Sequence, residues 1–277
     1  LLACLSCSRA RLERQARCLD WLTTIPFAHR GLHGPDTGPE NTLAAFAAAV
    51  AAGYGIECDV RLLADGQVVV FHDRELARLT GQAGRIAQCS SLDLPGLCVG
   101  GTDEHPPLLV DVLSLAAGRV PLYVEIKNRG RPGRLEQAVA QLLADYAGPA
   151  LVASFNPWSL ARMASLAPDL PRCLIACRFT DEPGMGACRR FLYRNLFHAL
   201  LARPQCIAYD WRALPHPAAT LLRWFGLPVL LWTVRDREDM VEALRHGDNI
   251  VFEGFLPKSP DAIKEQAGHY GGGAAQE

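Results

Sequence analysis

GIECDVRLLADGQVVVFHD, residues 55–73, holds two short apolar runs joined by Asp65-Gly66. Asp-Gly is a strong signal for a two-residue hairpin turn. No crossover helix fits between Asp59 and His72, so a hairpin that pairs the two runs antiparallel is the expected arrangement. With Asp65-Gly66 as the turn, Ala64 faces Gln67, and counting outward sets Asp59 opposite His72. Such a hairpin rises above the rest of the sheet. A tight return to a parallel third strand also brings His72 near Asp59.

The hairpin matters because the chain offers nine strand candidates, at 25–30, 55–63, 67–72, 121–127, 150–155, 173–177, 206–211, 228–234 and 249–254. Helix-period segments at 42–52, 133–146, 157–167, 186–202, 217–225 and 237–246 separate most of them. Strands apolar on both faces and alternating with helices imply a parallel sheet wrapped in helices. Repeated this often, the pattern predicts an α/β fold, a (β/α)₈ TIM-type barrel with a small insertion after the third strand segment. The expected organisation is an N-terminal extension over 1–24 and a barrel over 25–258 interrupted at about 74–118. A C-terminal tail over 259–277, ending in HYGGGAAQE, is expected to be partly disordered.

Half of the 277 residues are apolar and about a fifth are charged, as in soluble globular enzymes. A net charge of −1 gives no bulk electrostatic argument for nucleic acid or an anionic membrane, and nucleic acid is not an expected partner. No run approaches eighteen apolar residues, so no integral membrane segment is expected. The ten cysteines are scattered; Cys4-x-x-Cys7 has half of a zinc-site spacing without the other half. Thiols of this kind fit a reducing compartment, and the expected location is the cytoplasm. The opening LLACLSCSRARLERQAR lacks the charged start and long apolar core of a signal peptide and reads as an amphipathic or poorly ordered extension, which leaves export or anchoring open.

The chemistry gathers at strand ends. Glu57 and Asp59, two apart on one strand, point to the same face, and Glu125 and Lys127 repeat that spacing in PLYVEIK. Strand C-termini form the active face of a parallel barrel. Buried carboxylates repel one another unless a cation neutralises them, and three oxygen donors suit Mg²⁺ or Ca²⁺. His29 and His72 also close strand runs, where two imidazoles move protons on either side of a phosphate held by Arg30 and Lys127. Singly, each residue has a structural explanation: Arg30 pairing Glu40, or Lys127 neutralising Glu125. Seven such residues at the ends of four successive strand runs favour a joint site.

Around that set, Glu40 and Asn41 stand at the start of the first helix, able to cap it or reach back toward Arg30 and the cation. Phe155, Tyr209 and Trp232 end later strands and either wall a pocket or pack the core. Asp73 either orients a neighbour or caps the next turn, and His33 sits in the Gly/Pro loop as a surface histidine.

In order along the chain, HRG (29–31), PENT (39–42), ECD (57–59), DG (65–66), VFHD (70–73), LTG (79–81) and EIK (125–127) resemble the glycerophosphodiester phosphodiesterases. The resemblance covers residues 25–255 and suggests a compact bacterial-type enzyme with a short insertion. It implies a TIM barrel that hydrolyses glycerophosphodiesters to sn-glycerol 3-phosphate and an alcohol. It further implies His29 and His72 as the acid–base pair, Glu57, Asp59 and Glu125 as ligands of a divalent ion, and Arg30 and Lys127 as phosphate contacts. Where many members end the last strand with a Thr-Asp-x-Pro-like segment, this chain reads FEGFLP, with Glu253 at the acidic position. A lysolipid-cleaving relative of the same fold needs an exposed apolar rim, and the short polar insertion supplies little of one.

Overall fold

The computed structural model describes residues 19–180, 182 and 184–258. The Cys4-x-x-Cys7 pair, the basic N-terminal segment and the Gly-rich tail lie outside them. Nine strands occur among the described residues: β1 (Phe27–Ala28), β2 (Gly55–Leu62), β3 (Val68–Val70), β4 (Leu122–Ile126), β5 (Ala150–Ser154), β6 (Arg172–Ala176), β7 (Cys206–Asp210), β8 (Val229–Val234) and β9 (Asn249–Phe252). All but β3 are parallel, and β1 pairs with both β2 and β9, closing an eight-stranded barrel.

The helices are α1 (Trp21–Thr24), α2 (Leu43–Ala52), α3 (Ala77–Thr80), α4 (Leu109–Ala116), α5 (Arg134–Ala144), α6 (Pro157–Leu166), α7 (Ala187–Arg194), α8 (Ala199–Ala202), α9 (Pro217–Trp224) and α10 (Arg237–Ala243). Side chains state where several begin. Thr42, Asn156 and Asp236 each accept a backbone N–H of the first turn of α2, α6 and α10, satisfying donors that helix geometry leaves free. Pro157 follows Asn156 at the first helical position, where its missing N–H costs nothing.

Strand alternation separates two cores. Ile56, Cys58, Val60, Leu122, Val124, Ile126 and Ile207 face outward and pack under the helices. Phe27, Tyr123, Leu151, Cys173, Cys206, Leu230 and Val251 face inward and fill the barrel axis. The inward cluster includes Leu22 of α1, whose backbone carbonyl accepts a hydrogen bond from buried Asn249 at 2.8 Å. The last residues of the expected extension therefore plug the barrel floor. Because the lower interior is apolar and filled, the polar inward residues of β2 and β4 stand only at its upper end.

β3 forms the expected hairpin with β2, but the register differs by one residue. Val60 pairs with Val70, Arg61 with Val69 and Leu62 with Val68, and the Leu63 N–H donates to the Gln67 carbonyl at 2.9 Å. The connection is thus three residues, with Gly66 in the left-handed region at φ +90°, which glycine adopts without a Cβ penalty. Phe71, not His72, is opposite Asp59, its N–H donating to the Asp59 carbonyl at 2.8 Å. Phe71 joins Leu63, Val69, Leu76, Ile86 and Leu94 in a separate small cluster over the hairpin. His72 is released from the ladder onto the barrel mouth.

The segment 74–118 divides in two. Its first part folds over that small cluster, while α4 packs against α2 and buries Leu109, Val112 and Ala116 in the main core. Helix α4 is therefore the crossover that carries the chain to β4.

Candidate active site

Strand β1 ends at Ala28, and the next residues turn sharply over the barrel mouth. Arg30 and Gly31 both take positive φ, +56° and +82°. A Cβ on Gly31 would lie 2.9 Å from the Ala45 Cβ and the Phe46 ring, so only glycine lets this turn rest on α2. The turn aims the Arg30 N–H at Glu57 Oε2 (2.7 Å) and its guanidinium at Glu40 Oε1 (2.6 Å) and Asp59 Oδ2 (3.4 Å).

Glu57, Asp59 and Glu125 are all buried, and each offers a carboxylate oxygen within 4.8 Å of the others. Lys127 Nζ bridges two of them, at 2.7 Å from Glu125 Oε1 and 3.0 Å from Asp59 Oδ1. Asn41, rather than capping α2, clasps Asp59: its amide donates to Oδ2 at 2.9 Å and its carbonyl accepts the Asp59 N–H at 3.3 Å. Burial raises Asp59 toward the neutral form, but Lys127, His72, Arg30 and His29 outweigh it and hold this carboxyl well below its ordinary range. Glu57 goes the other way. Burial, reinforced by Asp59 and Glu125, pushes its pKa well above the usual carboxylate value, and burial together with Asp59 raises Glu125. Three carboxylates against two cations leave the cluster short of positive charge. A hard divalent cation fits that deficit and that oxygen donor set.

Two histidine–carboxylate pairs flank the cluster's approach. His29 Nδ1 lies 2.6 Å from Glu253 Oε2, and His72 Nδ1 lies 2.7 Å from Asp73 Oδ1. With Nδ1 engaged, Nε2 is the nitrogen free to meet a ligand. Glu253 is anchored in turn by Arg235, 2.7 Å away, with His33 Nε2 at 3.9 Å. Asp73 is held by Arg78, which also forks onto both oxygens of Glu40 at 2.8 and 2.9 Å. Burial pulls both imidazoles below their ordinary pKa, opposed at His29 by Glu253 and at His72 by Asp59. Glu253, bonded by His29 and His33, is held far below the usual carboxylate range.

A cleft of about 590 Å³ opens over these groups. His29, Arg30, Glu57, His72, Glu125, Lys127, Phe155 and Trp232 line it together. Glu40 and Asn41 stand behind, gripping Arg30 and Asp59. Tyr209 does not reach the cleft: it faces outward into the helix layer, its hydroxyl donating to the Arg194 carbonyl at 3.0 Å. The sequence reading missed Arg61, which clamps the His72 carbonyl, and the walls supplied by Phe179 and Tyr193. It also missed Arg235, although its place just beyond β8 is the kind of position that marked the other site residues.

The family model for "Glycerophosphoryl diester phosphodiesterase family" matches residues 29–253. A glycerophosphodiester phosphodiesterase of Caldanaerobacter subterraneus is 28% identical over 254 residues, which cover 87% of this chain and 97% of its own length. One from Bacillus altitudinis is 31% identical over 57% of this chain and 69% of its own. The solved structure of an Oleispira antarctica phosphodiesterase, in complex with its product sn-glycerol-3-phosphate, shares the fold with a TM-score of 0.71 at 23% identity, covering 87% of this chain and 96% of that one. With the model spanning from the first site histidine to the carboxylate that holds it, the chain belongs to the glycerophosphoryl diester phosphodiesterase family.

Proposed function

We propose that this protein hydrolyses glycerophosphodiesters to sn-glycerol 3-phosphate and an alcohol, using His29 and His72 as the proton-transfer pair. The observation that carries the reading is the occurrence, in one cleft, of two imidazoles each held at Nδ1 by a carboxylate, beside three buried carboxylates. Glu57, Asp59 and Glu125 would hold a divalent cation, Mg²⁺ or Ca²⁺, which supplies Lewis-acid polarisation of a phosphate oxygen when bound. Arg30 and Lys127, already at the carboxylates, present guanidinium and ammonium donors to the remaining phosphate oxygens.

One imidazole takes the proton of the nucleophile through Nε2, and the other gives a proton to the departing alcohol oxygen as its bond to phosphorus breaks. Glu253 and Asp73 fix the tautomers and stabilise whichever ring carries the charge. The nucleophile is either water or the glycerol 2-hydroxyl, and both routes use the same two rings. Phe155, Phe179 and Trp232 supply apolar walls to the same cleft. The fold and product of the Oleispira antarctica enzyme support the same assignment. The test is turnover of glycerophosphocholine by His29→Ala and His72→Ala, each expected to fall by about 10²–10⁴-fold. Near-normal turnover by His72→Ala sinks the proposal.

A further inference from the structure

Between β6 and β7 the chain carries an element of which one side lines the cleft and the other faces solvent. Residues 184–209 contain four arginines and no Asp or Glu. Within them, Phe191, Leu192, Phe197 and Leu200 are 54%, 41%, 53% and 82% exposed. Single exposed apolar side chains are ordinary, but four within ten residues form a patch of the kind that marks an interaction surface. Phe191 and Phe197 stack on each other at 6.2 Å, so the patch is continuous across the link from α7 to α8.

The element is firmly seated. Leu196, His198 and Ala202 are buried, and Tyr193 stacks on His198 with ring centroids 4.3 Å apart. On α7, Tyr193 and Arg189 line the active cleft, whereas Phe191, two residues from each, is turned to the opposite side. The helix thus forms the rim of the barrel mouth: Arg189 lies over the Tyr193 ring on the cleft side, while Arg194 is exposed beside the solvent-facing aromatics and half-buried Arg190 donates to the Met185 carbonyl at 3.2 Å. Among the described residues, none of these three guanidiniums is paired with a carboxylate.

We infer that α7 and α8 dock the barrel on an anionic phospholipid surface. Aromatic and leucine side chains enter the headgroup boundary while the arginines meet lipid phosphates, which is how a basic amphipathic helix lies in an interface. The positive charge without local carboxylates selects a lipid surface over a second copy of this chain, whose same patch carries the same charge. This surface also supplies the apolar rim that the insertion lacks. It does not depend on the hydrolytic reading, because adsorption is measured without turnover.

The experiment is co-sedimentation of the full chain with vesicles of phosphatidylcholine alone and of phosphatidylcholine with phosphatidylglycerol, at low and high salt. Binding is expected to the anionic vesicles only and to weaken with salt. Phe191→Ser/Phe197→Ser should abolish it. Arg190→Gln/Arg194→Gln should weaken it about 30-fold, from about 1 kcal/mol per arginine near a charged surface. Both variants should keep wild-type turnover of water-soluble glycerophosphocholine, which shows that they fold. No binding to anionic vesicles overturns the inference. So does a wild-type dimer that Phe191→Ser/Phe197→Ser converts to monomer, since the patch is then a contact between copies.

Discussion

Replacing Glu253 tests whether His29 works as one half of an imidazole–carboxylate pair. The Glu253 carboxylate is held by His29, Arg235 and His33, and the shortest of these contacts is the 2.6 Å bond to His29 Nδ1. A hydrogen bond to a charged partner contributes about 1.5–3 kcal/mol, so Glu253→Gln or Glu253→Ala should lower kcat by about 10- to 100-fold. KM should change little, because Arg30 and Lys127 remain in place. The assay is initial-rate hydrolysis of glycerophosphocholine across a pH range spanning neutrality. Burial lowers the His29 pKa and the Glu253 hydrogen bond opposes it, so removing Glu253 lets that pKa fall further. If His29 is the base, the acid limb of kcat/KM moves to lower pH. If His29 is the acid, the alkaline limb does so. Glu253→Asp should recover part of the loss. Wild-type kcat in Glu253→Ala with neither limb displaced would refute the pairing.

Three further outcomes follow from the same structure. Mg²⁺ or Ca²⁺ at saturating concentration should raise the melting temperature by roughly 5–10 °C, the equivalent of about 2.7 kcal/mol at a hundredfold excess over Kd, and Glu57→Gln should remove most of that gain. Calorimetry with and without EDTA reads it. Gly31→Ala forces a Cβ to within 2.9 Å of Ala45 and Phe46 at φ +82°, so urea unfolding should show a loss of about 2–4 kcal/mol. Burial lowers His198 to about 4 from 6.5. The unfolded chain therefore binds an extra proton between those values. The contribution is fully present above about pH 6.5 and is lost as pH falls to about 4, about 3 kcal/mol in total, and the slope of stability with pH should flatten in His198→Phe.

The barrel and most of its site were legible because period-2 strands bring residues at alternate positions to one face, and parallel strands bring their C-termini to one end. Glu57, Asp59 and Glu125 needed nothing more to be placed together. The hairpin register was off by one because Asp-Gly occurs in both two- and three-residue turns, and only backbone geometry distinguishes them. For Tyr209 pocket wall and core packing both stayed open, because a strand apolar on both faces carries no signal of parity; it packs in the core. Helix α4 was hidden inside what looked like a single insertion, since its short span of 109–116 follows a Gly/Pro-rich stretch. The Glu253–His29 pair joins residues 224 apart, and closure of β9 onto β1 is the only thing that brings them together. Similarly, the position of Asn41 allowed either a helix cap or a reach back toward the cation's surroundings, and its grip on Asp59 depends on the positive φ that turns it inward.

The most direct measurement of the central claim is product analysis after incubating the purified chain with glycerophosphocholine, with Mg²⁺ or Ca²⁺ and with EDTA. With a divalent cation present, sn-glycerol 3-phosphate and choline are expected; EDTA should abolish both, and His72→Ala should form them about 10²–10⁴-fold more slowly. Phosphocholine and glycerol as products, or undiminished turnover by His72→Ala, would contradict it.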